Sequence, residues 1–510
     1  MNVPAKTDSM SVQLRDVDGT TSATRGFNAA KNRLPTLYIC FAVLVSLCFV
    51  GNATRHITDA ELVYDASQNA KIAYYLVHTG TYTSSKREPH NPSKAMKREP
   101  VPVLAISAFL LLHPSFDRYK ITDLENGRLT RTVKFVNVFW EFLAALFIFL
   151  LCLELFPNPV IAGVGAMLTL AISAITFLST DPAVDSLFTE LPAAALLLAT
   201  SWCAVRFVRQ GTTRRAISLG IVLGLLALTK AAFFSVGIAF ILLLLFLDRR
   251  KLVRRNDAAS PQLRAAYAAL ALAFFATLAP WVVRNAISLG RPQMIAGRGE
   301  GILGLRMMLT ELPPLGLLYA SSPPPLMEKL GPVLGYTPAD LEPGGKLSVV
   351  LIHLPQWGIF QERMKVDGYE GTTEQWLRRA TLLSMVKDPL GYLTSVGLFA
   401  YRGTWFMQPS GLAGRLDPLT FYALSALSLL CLFGVFFGGL IAGNKVLVAA
   451  FGLPVGAFIF HSALSHGLPR YNTPITPFVV IAVFWICVAV GSYLWRLRDP
   501  SESTKQELAD

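Results

Sequence analysis

The sequence predicts an all-α protein that crosses a membrane many times, and three observations carry that expectation. Only 15% of the 510 residues are charged and 53% are hydrophobic, whereas a soluble chain carries charge on about a quarter of its residues. Mean hydropathy is +0.46. Apolar runs of spanning length return along nearly the whole chain, and basic residues gather in the short loops between them.

The N-terminal segment 1–33 is polar, Ser/Thr-rich and basic, and reads as a disordered cytoplasmic tail. The first apolar run, 34–50, lies too far from the N-terminus for a signal peptide, so it reads as a retained helix. A first outside loop follows over 53–100. Apolar runs then come near 101–113, 133–156, 160–179, 187–208, 216–231, 232–247 and 265–283, so that 34–285 forms one transmembrane module. The stretch 286–418, rich in Pro and Gly, reads as an outside cap with a helix near 371–387 and an interfacial helix near 390–407. C-terminal spans occupy 419–495, and 496–510 is a second cytoplasmic tail.

Charge decides the orientation. Arg206, Arg209, Arg214 and Arg215 form one basic cluster, and Arg249, Arg250, Lys251, Arg254 and Arg255 another. Both mark cytoplasmic loops. The net charge of +13 therefore orients the chain in a bilayer and does not imply nucleic acid as a partner. The acidic loop "STDPAVDSLFTE" (179–190) falls outside, as does the loop after the first helix. Three apolar runs separate those loops and an even number must span, so the short run 101–113 is partial or re-entrant. The same bookkeeping lays 390–407 along the interface and leaves about ten spanning helices, within a range of 10–12. The six cysteines all fall inside apolar runs without metal-ligand spacing, as small core residues do.

The polar pieces collect on the outside face. In "DASQNAKIAYYLVHTG" (65–80), Asp65, Asn69 and Ala73 are spaced by four, with Leu76 and Gly80 continuing the ridge. A short surface helix is predicted there, with Asp65 at its start either as a cap or as a chemical group. Asp59 and Glu61, just upstream, rival Asp65 and together are the place for a divalent cation, the one cofactor left open. "KREPVPVL" (97–104) sets Lys97 and Arg98 before a proline-started run, as interfacial basic residues or as a cation for a lipid phosphate. Lys230 in "GLLALTKAAFF" lies between two apolar runs, where a charge usually faces a cavity or a partner. "PWVVRNAISLGRP" ends a helix with Arg284, and "HSALSHGLPRYNTPITPF" offers Arg470 and Tyr471.

The order of these motifs along the chain resembles the GT-C membrane glycosyltransferases. The resemblance is in particular to the dolichyl-phosphate-mannose-protein mannosyltransferase-like and aminoarabinose-transferase-like group, over residues 35 to 495. The resemblance implies a GT-C fold with periplasmic loops carrying short interfacial helices. It implies a multi-pass protein of the inner (cell) membrane whose active site faces the periplasm. The implied activity moves a single hexosyl or pentosyl unit from a polyprenyl-phosphate donor to a lipid, polysaccharide or protein acceptor, with inversion. Carried over residue by residue, Asp65 and Asp181 are catalytic candidates. Arg98, Lys97, Lys230, Arg284 and Arg470 are donor-phosphate ligands. Asp59, Glu61, Asp185, Glu190 and Tyr471 are substrate-binding candidates. The aromatic residue common four places after the family's acid is Asn69 here, and Asp65 is followed by Ala66 rather than by a second acid, so the choice between Asp59 and Asp65 stays open. The rival classes are a transporter or flippase of a lipid-linked sugar and an oligosaccharide polymerase or ligase. The absence of an internal repeat weighs against the first.

Overall fold

The computed structural model describes residues 21–84, 98–112, 120–125, 130–177, 183–255, 261–290, 292–294, 298–342, 345–347, 357–404, 417–464 and 469–498. Among the described residues every regular element is helical. In chain order these are α1 (Thr21–Ala53), α2 (Tyr64–Thr79), α3 (Pro100–Leu111), α4 (Ile121–Glu125), α5 (Thr130–Lys134), α6 (Val136–Leu155) and α7 (Pro159–Phe177). Then come α8 (Glu190–Gln210), α9 (Thr213–Thr229), α10 (Ala232–Arg255) and α11 (Pro261–Leu289). The segment after the first bundle holds α12 (Arg298–Thr310), α13 (Pro314–Ser321), α14 (Pro324–Leu334), α15 (Trp357–Val366), α16 (Thr373–Lys387) and α17 (Pro389–Thr404). The chain closes with α18 (Pro418–Ile441), α19 (Lys445–Leu464) and α20 (Thr476–Arg498), the last preceded by a 3-10 turn, Pro469–Ile475.

Eight described segments, from Thr36–His56 to Tyr471–Trp495, are long and apolar enough to cross a membrane. The protein is an all-α polytopic membrane protein. Helices α7 and α9 run through the bundle beside them, α7 against α6 and α20, α9 between α8 and α11. Charge bookkeeping led to an expectation of about ten spans; eight described segments are long and apolar enough, and α7 and α9 fall outside that set. Helix α3 spans only 12 residues, about 18 Å of rise against a hydrocarbon layer of about 30 Å. It packs on α2 instead of crossing. Helix α1 starts at Thr21, inside the segment expected to be a disordered tail. Once the spanning part has nucleated the helix, adding residues at its end costs little.

Ion pairs identify the two ends of the bundle. At one end, Glu154 near the C-terminus of α6 meets Arg206 at 3.7 Å and Arg209 at 2.8 Å near the C-terminus of α8, so α6 and α8 run parallel. Asp248 at the same end pairs with Lys445 and accepts a hydrogen bond from Tyr267 at 2.5 Å. The other end gathers α2, α3, the 183–190 segment, the α9–α10 turn, the C-terminal part of α11 and the Pro469–Ile475 turn.

Helices α9 and α11 approach unusually closely because α9 carries Gly220 and Gly224 four residues apart. A Cβ at Gly220 would lie 2.5 Å from the Leu270 carbonyl oxygen, and one at Gly224 2.6 Å from Thr277 Cβ. Small residues at this spacing let backbones touch where no solvent drives helices together. Pro280 sits inside α11, where it removes one backbone bond and bends the helix just before Trp281 and Arg284. The pairing thus fixes Lys230, at the C-terminus of α9, relative to Arg284 on α11.

Helices α12–α17 fill a stretch in which only one helix near 371–387 and one interfacial helix were expected. Helices do occupy both stretches, as α16 and α17. The others are short, and α13 and α14 each begin with Pro at their first turn. Two small cores hold the segment together. One gathers Leu309, Leu317, Tyr319 and Phe399, and the other Met307, Phe360, Trp376 and Leu377. Helix α17 also rests on α19.

Candidate active site

Helix α2 begins at Tyr64 with Val63 as its cap residue and no capping side-chain bond, so Asp65 lies in the first turn, not at the cap. Its Oδ1 accepts a hydrogen bond from Arg98 Nη2 at 2.5 Å. Gln68, one turn on, accepts from Arg98 Nε at 2.9 Å and from Nη2 at 2.8 Å. Asp65 is thus an ion-pair partner of Arg98 and not the helix cap. The buried face of α2 (Ala66, Asn69, Ala70, Ala73) packs on α3, and Asn69 donates to the Leu187 carbonyl at 2.8 Å. Asn69 therefore ties α2 to the second loop. Gly80 closes α2 with φ +67°, a left-handed position suited to glycine.

Arg98 itself is buried, and the next residue, Glu99, is buried with its Oε2 unpartnered. The Tyr82 hydroxyl lies 3.4 and 3.3 Å from the carbonyl oxygens of Arg98 and Glu99, to which it donates. Burial pushes the Tyr82 phenol up, with the Glu99 carboxylate adding to the shift. It therefore acts as a neutral donor. Arg284 stacks over the Tyr82 ring at 5.1 Å and over Trp281 at 5.0 Å, and Trp281 donates to the Met294 carbonyl at 2.9 Å. Cation–π contacts of this kind hold a guanidinium in place without consuming its N–H donors.

These residues border a cavity of about 680 Å³ between α2, α3, α9 and α11. Its walls include Leu76, Val101, Leu104, Leu225 and Leu228, with Tyr82, Trp281 and Arg284 as the polar and aromatic edge. Two residues beyond Leu228 lies Lys230. Its Nζ is 4.0 Å from Glu190 Oε1 and 4.7 Å from the centre of the Tyr471 ring. Glu190 starts α8, where a carboxylate suits the helix dipole.

Asp185, expected to touch substrate, has protein partners on both oxygens. It accepts from Thr58 N and Oγ1, both at 2.6 Å, and pairs with Lys134 at 3.0 Å. Lys134 also donates to the Thr58 and Ala60 carbonyls at 3.1 and 2.9 Å, and Thr130 donates to the Asp59 carbonyl at 2.9 Å. This clamp fixes the 58–60 backbone and leaves the side chains of Asp59 and Glu61 exposed. Among the described residues no group of three His, Cys, Asp or Glu side chains gathers as a metal site would need.

The structure thus brings Asp65 and Arg98 together directly, links Arg98 to Arg284 through Tyr82, and gathers Lys230, Glu190 and Tyr471 in a separate group that begins two residues beyond the cavity-lining Leu228. Lys97 and Asp181 lie outside the described residues. Arg470 is described only in its backbone, within the Pro469–Ile475 turn. Sequence reasoning missed Gln68, Tyr82, Trp281, Glu99 and Lys134. Lys134 was legible as a lone cation in an apolar run, and Glu99 as the middle of the quoted "REP". The others gave no signal apart from the fold.

Residues 121–281 match the family described as dolichyl-phosphate-mannose-protein mannosyltransferase. The matched segment is less than half of the chain, but it runs from α4 to Trp281 and holds Lys134, Asp185, Glu190 and Lys230. Over that segment the chain is similar to a family of GT-C membrane glycosyltransferases. No curated protein matches the chain. Among solved structures, the chain is similar to the archaeal oligosaccharyltransferase AglB from Archaeoglobus fulgidus in complex with an inhibitory peptide and a dolichol-phosphate. The TM-score is 0.48 and the identity 15%, over 91% of this chain and 51% of that one. The chain spans about half the length of that protein.

Proposed function

We propose that this protein transfers one sugar from a polyprenyl-phosphate carrier to an acceptor hydroxyl or phosphate, at the membrane face toward which α2 and the Pro469–Ile475 turn project. In a bacterial cell this would be the periplasmic face of the inner membrane. The observation that supports this most is the cavity edged by Arg284. Apolar walls suit the first isoprene units, and a fixed guanidinium beside them suits the phosphate.

Departure of the sugar leaves a phosphate dianion on the carrier. Cations held in a water-poor site stabilise that charge as it develops, and they do so with little reorganisation. Arg284, held against two rings, and Lys230, held by Glu190 and Tyr471, supply such charge. Asp65 is the general base for the acceptor, oriented by Arg98, which is itself fixed by Gln68. A positioned carboxylate of this kind contributes roughly a hundredfold or more. Attack from the face opposite the leaving phosphate inverts the anomeric centre. Asp59 and Glu61, exposed on the clamped loop, meet the solvent-facing part of a substrate.

The test incubates the purified full-length protein with radiolabelled polyprenyl-phosphate sugars and a membrane extract, and asks which fraction gains label. Label should pass from the carrier to an acceptor, and Arg284→Met should reduce transfer. Transfer with unaltered rate in Arg284→Met would remove the cavity from the mechanism.

A further inference from the structure

A second cavity, of about 600 Å³, lies against the face of α11 turned away from the first. Along α11 the first cavity is lined by Thr277, Trp281 and Arg284, and the second by Phe275, Ala279 and Val282. Positions two apart on a helix point about 200° apart, so α11 is the wall between the two. Phe234 on α10, Met294 and Arg378 on α16 complete the second cavity. Its α10 and α11 walls belong to the spans Ala232–Arg249 and Pro261–Ser288, and Phe275 is 51% exposed. The groove is therefore open along the lipid-facing side of the bundle.

Arg378 sets the level of its mouth. Arg378, Leu382 and Val386 are spaced by four and share one face of α16. Leu382 is 63% exposed and Val386 78%, and the apolar surface continues onto α17 through Leu390 and Leu393. Large apolar side chains bared on a short helix beside membrane spans sink into the bilayer interface, with the cation of the same face at headgroup height. Apolar walls capped by a guanidinium at that height fit a lipid, its chain between Phe234, Phe275 and Val282 and its phosphate on Arg378. A glycan or an extended peptide needs a polar partner for every hydroxyl or amide it buries, and the groove offers only two polar side chains, Gln293 and Arg378.

The groove is tied to the groups already described. Leu228 lines the first cavity and Ala231 the second, with Lys230 between them in the chain. Trp281, in the wall of the first cavity, donates to the Met294 carbonyl at 2.9 Å, and the buried Asn285 donates to the Gln293 carbonyl at 2.6 Å. Trp281 also meets the Tyr82 ring edge-on at 4.9 Å, and the Tyr82 hydroxyl bonds the carbonyl of Arg98, the partner of Asp65. We propose, resting on the transferase reading, that this groove is the acceptor site and that the acceptor is an anionic lipid, entering on the side of α11 opposite the carrier. A headgroup oxygen forms a bond to the anomeric carbon as the bond from that carbon to the carrier phosphate breaks. The electron pair leaves with the phosphate, and the proton of a headgroup hydroxyl passes to Asp65. Two lipids held in separate grooves thus exchange a sugar without either leaving the membrane.

The experiment reconstitutes the full-length protein in phosphatidylcholine nanodiscs with a trace of photoreactive phosphatidic acid and maps the cross-links. Phosphatidic acid should label 275–282 and 292–294, and photoreactive phosphatidylcholine should do so roughly tenfold less, the worth of one charge-assisted bond. Arg378→Met, a change at an exposed side chain, should cut the labelling by a similar factor, and Ala279→Trp should abolish it by filling the groove. Both variants should keep wild-type labelling of 76–82 and 100–104 by a photoreactive polyprenyl phosphate. Equal labelling by phosphatidylcholine would make the groove a boundary-lipid surface, and displacement of phosphatidic acid by polyprenyl phosphate would give it to the carrier; either overturns the site. With radiolabelled polyprenyl-phosphate sugar and a membrane extract, label should enter the lipid-extractable fraction. The variants should raise the half-saturating amount of extract lipid and leave that of the donor unchanged. Label found only in protein or polysaccharide overturns the acceptor class. No label leaving the carrier in the wild type, with the cross-links intact, overturns the transferase reading and leaves an anionic-lipid site standing.

Discussion

Two ion pairs lie at the same end of the bundle, and they differ in how far the protein closes them off from solvent. Lys134–Asp185 is closed. The lysine side chain is 1% exposed and that of its partner 14%. Lys134 spends its donors on Asp185 and two carbonyls, and Asp185 uses both oxygens on Thr58 as well. Asp65–Arg98 is more open, with side chains 24% and 7% exposed, and it stands beside a cavity edged by another guanidinium. The first pair has its hydrogen-bonding capacity filled by the protein and holds a loop. The second is more open to solvent and lies nearer the cavity.

The largest effect expected from that contrast is on catalysis. Asp65→Asn keeps the shape and a neutral bond to Arg98 but removes the base, so transfer should fall roughly a hundred- to ten-thousandfold while the unfolding midpoint barely moves. Full transfer by this variant would erase the distinction between the pairs. Next comes Lys134→Met, which strands a mostly buried carboxylate. Breaking such a pair costs about 3–5 kcal/mol, measurable as loss of folded protein in a detergent stability assay. Adding Asp185→Leu should restore part of it, because two apolar groups leave no uncompensated charge. A double variant less stable than the single one would show the pair to be more than scaffold.

The sequence showed the membrane class, the helix order and the odd placement of the run 101–113 clearly, because period, length and loop charge are local quantities. Proline misled it over 284–387. Pro314 and Pro324 were read as loop residues, yet each opens a helix, where its missing N–H costs nothing and its fixed φ is already helical. Asp65, Arg98 and Lys230 were readable as charges in apolar surroundings, and Arg284 as the end of a helix. Which carboxylate was already committed could not be read. The Thr58 and Lys134 partners of Asp185 lie 127 and 51 positions away, and only the fold brings them together. Tyr82 and Trp281 gave no signal either, since an aromatic at a helix end is ordinary until a guanidinium is seen lying on it.

A third grade of ion pair tests whether geometry alone confers importance. Arg363 Nη1 meets Glu311 Oε2 at 2.7 Å, as good a distance as any at the site, but the side chains are 40% and 48% exposed. Water solvates both groups when they separate, and holding two long side chains together costs rotamer entropy, so exposed pairs contribute about 0.2–1 kcal/mol. Arg363→Ala should therefore lower the stability of the α12–α16 segment by less than about 1 kcal/mol. Added salt should shrink the difference further, because the Debye length falls to about 3 Å at 1 M. Thermal unfolding of wild type and variant at low and high salt measures both. A loss as large as that in Lys134→Met would mean that a short N–H to O distance, rather than the filling of every donor and acceptor, decides which pairs this protein depends on.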